Sequence, residues 1–421
     1  MYNLKNVYGV ISFNKSRVNV LVVEKAINGK INCLFFDYLN INYLNDKLEF
    51  INKDLLKEKL LELLTKADEF IGVIVKRYII NVSYLPVRVV KNISKDFELN
   101  ENKELDQDDY LSFVNKVDFL DAVTNERIIN VHPELWTLDG HNLSSFPYGK
   151  KGRTLNFEYV AYVTNAEMYK RFKDLIAECK VSCLGIVNNQ ICFSGCLERI
   201  NEYHKKNLVI DVKSDSSTIN FYDTNNNLVY FEKIDTGSNW MVDKVKHQFC
   251  IPEGQNLIPI IDSLDAIKLV DTNVSIVNIH KEDFLNLKVA TAGAFISYIN
   301  YTNKKFIELI NNRINNILSR VQLSYDNMYI NANNMANKFL GQLINAEFKS
   351  FDNNIIGIEN KNINAMLGAV EYINATQKAR NYIKYSVDPY VSQNTFNDQL
   401  KKEILLKVGV ITTKWAAKLG G

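Results

Sequence analysis

One pattern, written twice, constrains this chain more than any other feature. Val7–Phe13 and Arg17–Glu24 read as strands, the second with Val18, Val20 and Val22 alternating against Asn19 and Leu21. Asn28-Gly29 is a hairpin-turn pair, and Ile31–Phe36 reads as a third strand. Leucines at 55, 56, 60, 61, 63 and 64 predict a helix over Asp54–Ala67, and the apolar run Phe70–Val75 predicts a buried strand. About 200 residues later the pattern returns: strands at Leu208–Val212, Ser217–Tyr222 and Leu228–Ile234, a turn at Asn225-Asn226-Asn227, and a helix beginning near Trp240. Two βββα units argue for an internally duplicated, two-lobed α/β protein, with two unrelated hairpins as the plainer alternative.

The length allows this, because 421 residues exceed what one ordinary core supports. Apolar residues at 47% and charged residues at 23% exclude wholesale disorder, and a net charge of +2 gives no field that points to nucleic acid. No window approaches 18 unbroken apolar residues, so no membrane span is expected, and Met1–Asn6 begins no secretory stretch. Six cysteines suit a reducing compartment; the spacing of Cys179 with Cys183 and of Cys192 with Cys196 leaves open a zinc site or buried free thiols. Asparagine is abundant at 54 residues, which together with the many Lys, Ile and Tyr residues reads as drift in an AT-rich genome.

Between the copies, residues 81–166 change character. Asp96–Asp109 is acidic and polar, while Arg127–Leu138 and Leu155–Thr164 are strand-like around a loop rich in Gly, Ser and Pro: an inserted small α+β subdomain. Helices are predicted over Ala166–Glu178 and over Lys304–Gln322, where Phe306, Leu309, Ile310, Ile314 and Ile317 share a side. Ser386–Asn397 is a polar linker. In the last segment, Asp398–Gly421, residues Ile404, Val408, Ile411, Trp415 and Leu419 advance by four, three, four and four, a narrow helical stripe. Lys401, Lys402, Lys407, Lys414 and Lys418 accompany it against Asp398 and Glu403. A basic helix with a Trp on its apolar face fits an interfacial membrane anchor; a helix docked on its own domain is the alternative.

The stretch Ile128–Gly140, with Val131-His132-Pro133, Trp136 and Asp139-Gly140, and its continuation Phe146-Pro147-Tyr148-Gly149-Lys150-Lys151-Gly152-Arg153-Thr154-Leu155 carry a family resemblance. They resemble FtsA, the actin-like bacterial division protein, whose inserted subdomain holds His-x-x-Pro-x-x-Tyr-x-(Leu/Val)-Asp-Gly and then Pro-x-Gly-(Met)-x-Gly-x-x-Leu. The resemblance covers about residues 5 to 385, followed by the amphipathic tail. It implies an actin-like fold, a ribonuclease-H-like duplicated βββαβα in two lobes with nucleotide between them. The implied division is a first-lobe core at 1–80, continued in 167–202 and about 365–385; the inserted subdomain at 81–166; a second-lobe core at 203–234 and 300–364; a second-lobe insertion at 235–299; the linker at 386–397; and a membrane-targeting helix at 398–421.

The same resemblance locates the nucleotide motifs, which depart from the family. Its first hairpin, Asp-Ile-Gly-Thr-Ser-Lys-Val, is Ser12-Phe13-Asn14-Lys15-Ser16-Arg17-Val18 here; Asn14 tolerates a left-handed turn, and Lys15 is either a phosphate contact or a solvated lysine. The second, Val-Asp-Ile-Gly-Gly-Gly-Thr-Thr-Asp, is Ile210-Asp211-Val212-Lys213-Ser214-Asp215-Ser216-Ser217-Thr218. Asp211 remains, Ser216 and Ser217 stand for the threonines, and Asp215 repels phosphate. The adenosine segment, Leu-Thr-Gly-Gly-x-Ala, becomes Ile330–Met335 with Ala332 and Asn333 for its glycines, and a connecting segment survives in part as Gly237-Ser238-Asn239. The candidate nucleotide contacts are therefore Ser12, Asn14, Lys15, Asp211, Ser214, Ser216, Ser217, Gly237, Ala332 and Asn333. Asp211 is the catalytic candidate if there is one. Two readings stand: a pseudo-ATPase or slow ATPase with a remodelled site, or drift that kept binding of ATP and Mg.

By the same resemblance the partners are the FtsZ C-terminal peptide, further copies of the chain, and an anionic surface on the inner face of the cell membrane at the division site. The peptide would meet residues 235–300, where Lys244, Lys246, His247, Lys268 and Lys281 stand; the membrane would meet Ile404, Lys407, Val408, Ile411, Lys414, Trp415, Lys418 and Leu419. A diverged actin-superfamily ATPase, or an FtsA paralogue with another partner, is the alternative.

Overall fold

A computed structural model describes residues 7–25, 31–45, 48–115, 125–143, 145–200, 204–257, 261, 275–279, 288–332, 349–350, 355–356 and 363–379. They fall into two compact units, one drawn from Met1–Cys192, Asn354–Ile358 and Ala369–Gly421, the other from Phe193–Asn353 and Glu359–Gly368.

In the first unit, β1 (Val7–Asn14), β2 (Arg17–Lys25) and β3 (Ile31–Asn40) form an antiparallel meander. β1 and β2 are covered on both faces, which is why they read as continuous apolar runs. Helix α1 (Lys53–Ile71) buries Leu56, Leu60, Leu63, Leu64 and Ala67. The Asn52 side chain caps its start by accepting from the Leu55 N–H at 3.0 Å. The chain then returns as β4 (Arg77–Val82), parallel to β1. The strand expected at Phe70–Val75 is not there. Phe70 and Ile71 continue the helix, which stops only at Gly72, whose left-handed φ of 78° lets its N–H reach Asp68 O. Phe70 is left on the surface, and the strand forms one segment later.

Residues between β4 and the next core helix build a separate sheet. β5 (Val87–Glu98), helix α2 (Gln107–Asn115), β6 (Glu126–Leu138), β7 (His141–Leu143) and β8 (Thr154–Asn165) give the antiparallel order β5-β8-β6-β7. Its core is aromatic: Trp136 stacks on Phe157 with centroids 4.7 Å apart and meets Phe146 edge-on at 4.9 Å. Asp139 and Gly140, both at positive φ, make the two-residue β6–β7 turn. The Asp139 carboxylate accepts from the backbone N–H groups of Arg153 and Thr154, and these donors hold its pKa below the usual carboxylate range. The sheet starts at Val87 and not at residue 81, because Asn81 and Val82 still pair with β1. Helix α3 (Ala166–Glu178) then packs Met168, Phe172, Leu175 and Ile176 on the central core, and β9 (Ser182–Val187) and α4 (Asn189–Arg199) follow.

The second unit repeats the plan. β10 (Asn207–Val212), β11 (Ser217–Tyr222) and β12 (Leu228–Ile234) form the meander. Helix α5 (Ser238–Gln248) follows it. A hairpin of β13 (Ser275–Ile279) and β14 (Lys288–Thr291) leads into α6 (Ala292–Val321). β15 (Asn327–Ala332) then pairs parallel to β10. Adding β16 (Lys349–Ser350) and β17 (Ile355–Ile356), the two sheets run β17-β3-β2-β1-β4-β9 and β12-β11-β10-β15-β16. The shared order β3-β2-β1-β4 and β12-β11-β10-β15 is the duplication read in the sequence. Residues 235–299 are not purely an insertion: Met241 and Val245 of α5 and Phe295 and Ile299 of α6 belong to the second core. Likewise α6 begins at Ala292 and not at Lys304, with the Thr291 hydroxyl capping its first turn. The last described helix, α7 (Asn364–Ala379), touches β6, where His132 Nε2 lies 3.0 Å from the Tyr372 hydroxyl. No described helix is long and apolar enough to cross a membrane.

Candidate functional site

Each unit presents one hairpin end where the motifs fall. In the first, Asn14 pairs with Arg17, so Lys15 and Ser16 alone make the turn. Neither is at positive φ, nor is Asn14, which is the last residue of β1. The turn thus needs no left-handed residue, contrary to the expectation for Asn14. The carbonyls around it are already engaged: Ser83 N–H donates to Phe13 O at 3.0 Å, the Tyr43 hydroxyl to Asn14 O at 2.5 Å, and Ile41 N–H to Ser16 O at 3.1 Å. Lys15 is exposed at the tip.

Ser12 does not face that tip. It is 3% exposed, and its hydroxyl accepts from Asn81 Nδ2 at 3.2 Å. Asn81, itself buried, also donates to Asn189 Oδ1 at 2.9 Å, and the Cys192 thiol lies 3.6 Å from Asn81 Oδ1. The neighbouring Asn188 caps α4 by accepting from the Ile191 N–H and donates to Leu85 O. Sequence reasoning named none of these asparagines.

In the second unit the loop 213–216 closes on itself through Lys213 N–H to Ser216 O at 3.0 Å. Its carbonyls face the start of α5: Ser238 N–H donates to Lys213 O at 2.8 Å and Asn239 N–H to Ser214 O at 2.9 Å. The Asn239 side chain donates to Asp215 Oδ1 at 2.8 Å, and the Ser217 hydroxyl to Thr236 O at 2.7 Å. Gly237 is what permits this. A Cβ there would stand 2.4 Å from Lys213 O, 2.4 Å from Ser214 O and 2.6 Å from Ser216 N. Its role is close approach of two backbone segments within the unit. Asp211, 2% exposed, accepts from Asn331 Nδ2 at 2.7 Å, with the Lys213 ammonium 3.7 Å away. Asn331 is held in turn by Asn364 Nδ2 at 3.0 Å. Ala332 ends β15 buried opposite Val212. Asn333 lies outside the described residues, as do Lys268, Lys281 and the whole of 398–421.

Do these residues fit a nucleotide with its Mg²⁺? Phosphate recognition at a helix start uses N–H groups aimed outward. The first two of α5 are occupied by loop carbonyls, and no glycine stands in 213–216. The first hairpin offers the buried Ser12 in place of a carboxylate. Among the described residues no three His, Cys, Asp or Glu side chains cluster as a metal site. The described residues do not fit that group, and no reaction step is drawn through it. The cysteine pairs likewise hold no cluster there; Cys196 donates to the Asn364 carbonyl at 3.1 Å.

The surface of α5 and α6 carries aromatic rings beside lysines, and Lys305 among these pairs with Glu308 at 2.7 Å. Lys244 Nζ sits 5.8 Å from the Trp240 ring centroid and Lys305 Nζ 5.9 Å from that of Tyr301. Tyr301 is 55% exposed beside Tyr298, which meets Phe249 edge-on. Lys246 donates to Glu253 O, and it shares the last turn of α5 with His247, where cations suit the helix dipole.

No protein-family model and no curated protein matches the sequence. Solved structures do. A PilM-PilN type IV pilus biogenesis complex is similar at a TM-score of 0.51 and 10% identity, over 87% of this chain and 98% of that one. MreB 5 of Spiroplasma citri bound to AMPPNP is similar at a TM-score of 0.40 and 10% identity, over 88% of this chain and 97% of that one. Ethanolamine utilization protein EutJ from Carboxydothermus hydrogenoformans gives a TM-score of 0.41 at 10% identity, over 87% and 89%. The chain has the actin-like ATPase fold.

Proposed function

We propose that this chain is an FtsA-like adaptor of the actin superfamily, which tethers FtsZ filaments to the inner face of the cytoplasmic membrane at the division site and assembles with further copies of itself. The observation that carries the reading is the sheet of residues 87–165, inserted between β4 and α3 and bearing Val131-His132-Pro133 and the Asp139-Gly140 turn on β6. The resemblance ties that motif, in that subdomain, to FtsA. Lys244 beside Trp240 on α5 and the exposed Tyr301 on α6 suit an acidic, apolar peptide such as the FtsZ C-terminus. The tail stripe Ile404, Val408, Ile411, Trp415 and Leu419, with Lys407, Lys414 and Lys418, suits an anionic lipid surface. One such helix binds weakly, so anchoring rests on many tails in one assembly.

The test is co-sedimentation with liposomes containing anionic lipid, alongside capture by an immobilised FtsZ C-terminal peptide. Truncation before Asp398 is expected to abolish sedimentation, and Trp415→Glu nearly so. If the truncated chain sediments as well as the full one, the tail is not the anchor. A second reading keeps the adaptor and changes its partner. It is favoured by the likeness to PilM, whose solved structure is a complex with PilN. Failure of peptide capture with intact liposome binding would select it.

A further inference from the structure

The duplicated fold brings the same three pieces of chain together once in each unit. In the first, Ser12 near the end of β1 stands opposite Asn81 of β4, and Asn81 is bonded to Asn189, the first residue of α4. In the second, Asp211 near the end of β10 stands opposite Asn331 of β15, and Asn331 is bonded to Asn364, the first residue of α7. Both strand pairs are parallel, and the three residues of each triad lie within one unit. Ser12, Asn81, Asn189, Asp211 and Asn364 are all under 9% exposed. Buried polar groups of this kind call for partners, and within each triad neighbouring side chains bond to one another.

We infer that the two triads are structural latches, one inside each unit, that hold the strand ends without a bound nucleotide, so that the chain folds and assembles without one. Two features support this. Ser12 Oγ and Asp211 Oδ1, near the two strand ends, each accept from an amide of the same unit. The loop carbonyls and Asp215 around the second triad are engaged with α5. A phosphate seated at either triad would have to displace these bonds and leave buried amides unsatisfied.

The inference concerns the chain's independence of nucleotide and stands apart from its partner. The experiment is thermal unfolding of the full chain with and without 5 mM Mg·ATP, Mg·ADP or inorganic phosphate. A ligand that binds only the folded state raises the midpoint in a saturable way. The expected result is no shift above about 1 °C at these concentrations. Asn81→Ala and Asn331→Ala are each expected to lower the midpoint by several degrees, with unchanged far-ultraviolet circular dichroism at low temperature. A saturable rise with Mg·ATP that disappears in Asp211→Asn overturns the inference, whatever the variants do. Midpoints of Asn81→Ala and Asn331→Ala equal to that of the unaltered chain overturn it as well. Liposome sedimentation unchanged by Mg·ATP supports it, and a nucleotide requirement refutes it. If no sedimentation occurs at all, the adaptor reading fails while the thermal data still decide the latches.

Discussion

Replacing Gly237 with alanine puts a methyl carbon 2.4 Å from two backbone carbonyl oxygens, of Lys213 and Ser214, and 2.6 Å from the Ser216 nitrogen. None of these is the far end of a flexible side chain, so the loop itself must retreat by about an ångström to restore ordinary contact. That movement stretches the bonds from Ser238 N–H to Lys213 O at 2.8 Å and from Asn239 N–H to Ser214 O at 2.9 Å. Each is worth about 0.5–1.5 kcal/mol net, so losing both predicts about 1–3 kcal/mol. For a unit of roughly 170 residues that is a fall of about 2–12 °C in the unfolding midpoint. Gly254→Ala is the matched control: nothing lies within 4 Å of its added carbon, and its φ is outside the left-handed region. That variant is expected to be neutral or more stable by about 0.4–1 kcal/mol through the unfolded state. Calorimetry or circular-dichroism melts of both variants decide it. If Gly237→Ala melts with Gly254→Ala, the loop is not seated on α5 and its carbonyls do not occupy the first N–H groups of that helix.

Asp68 gives a pH-dependent test. Burial pushes its carboxyl up to about 6, while the Val75 N–H it accepts at 2.9 Å pulls the other way. A folded pKa above the unfolded 3.8 means that the native state holds its proton longer. The associated stability is full below about pH 4 and is lost as pH rises through about 6. Asp68→Asn, which keeps the acceptor, is therefore expected to melt higher than the unaltered chain at pH 7.5 and together with it at pH 4. After discounting for the half-exposed site, the gain is about 1 kcal/mol. A destabilised Asp68→Asn at pH 7.5 would refute the assigned direction. Trp136→Ala removes the centre of the aromatic core of the inserted sheet, 3% exposed against Phe146 and Phe157. It is expected to cost about 3–5 kcal/mol, read by hydrogen exchange as lost protection across residues 87–165. Unchanged exchange there would mean that the subdomain does not depend on this core.

The meanders were legible because their strands are apolar and their turns polar: Ser217–Tyr222 and Leu228–Ile234 are the strands the alternation predicts, and Ala166–Glu178 is the helix. The start of α6 was not, because its buried face runs from Phe295 and Ile299 through Thr302 and Asn303 before Phe306, and two buried polar residues interrupt the stripe. Phe70 misled for the opposite reason, being a large apolar residue that the helix leaves exposed. At the candidate site the motif spacing located both hairpins but not their partners. Asn81, Asn189, Asn331 and Asn364 are four of 54 asparagines, and nothing in a single sequence separates a buried amide from a surface one. What would have separated them is the duplication itself. Once β4 and β15 are recognised as equivalent strands beside β1 and β10, an asparagine at the matching register of each stops being compositional noise. The two first-strand residues differ, Ser12 and Asp211, and the Asp211 carboxylate has a lysine ammonium 3.7 Å away, from Lys213 two residues along its own chain. The charged copy keeps its counter-ion local and the uncharged copy needs none, so each triad is balanced within its own unit.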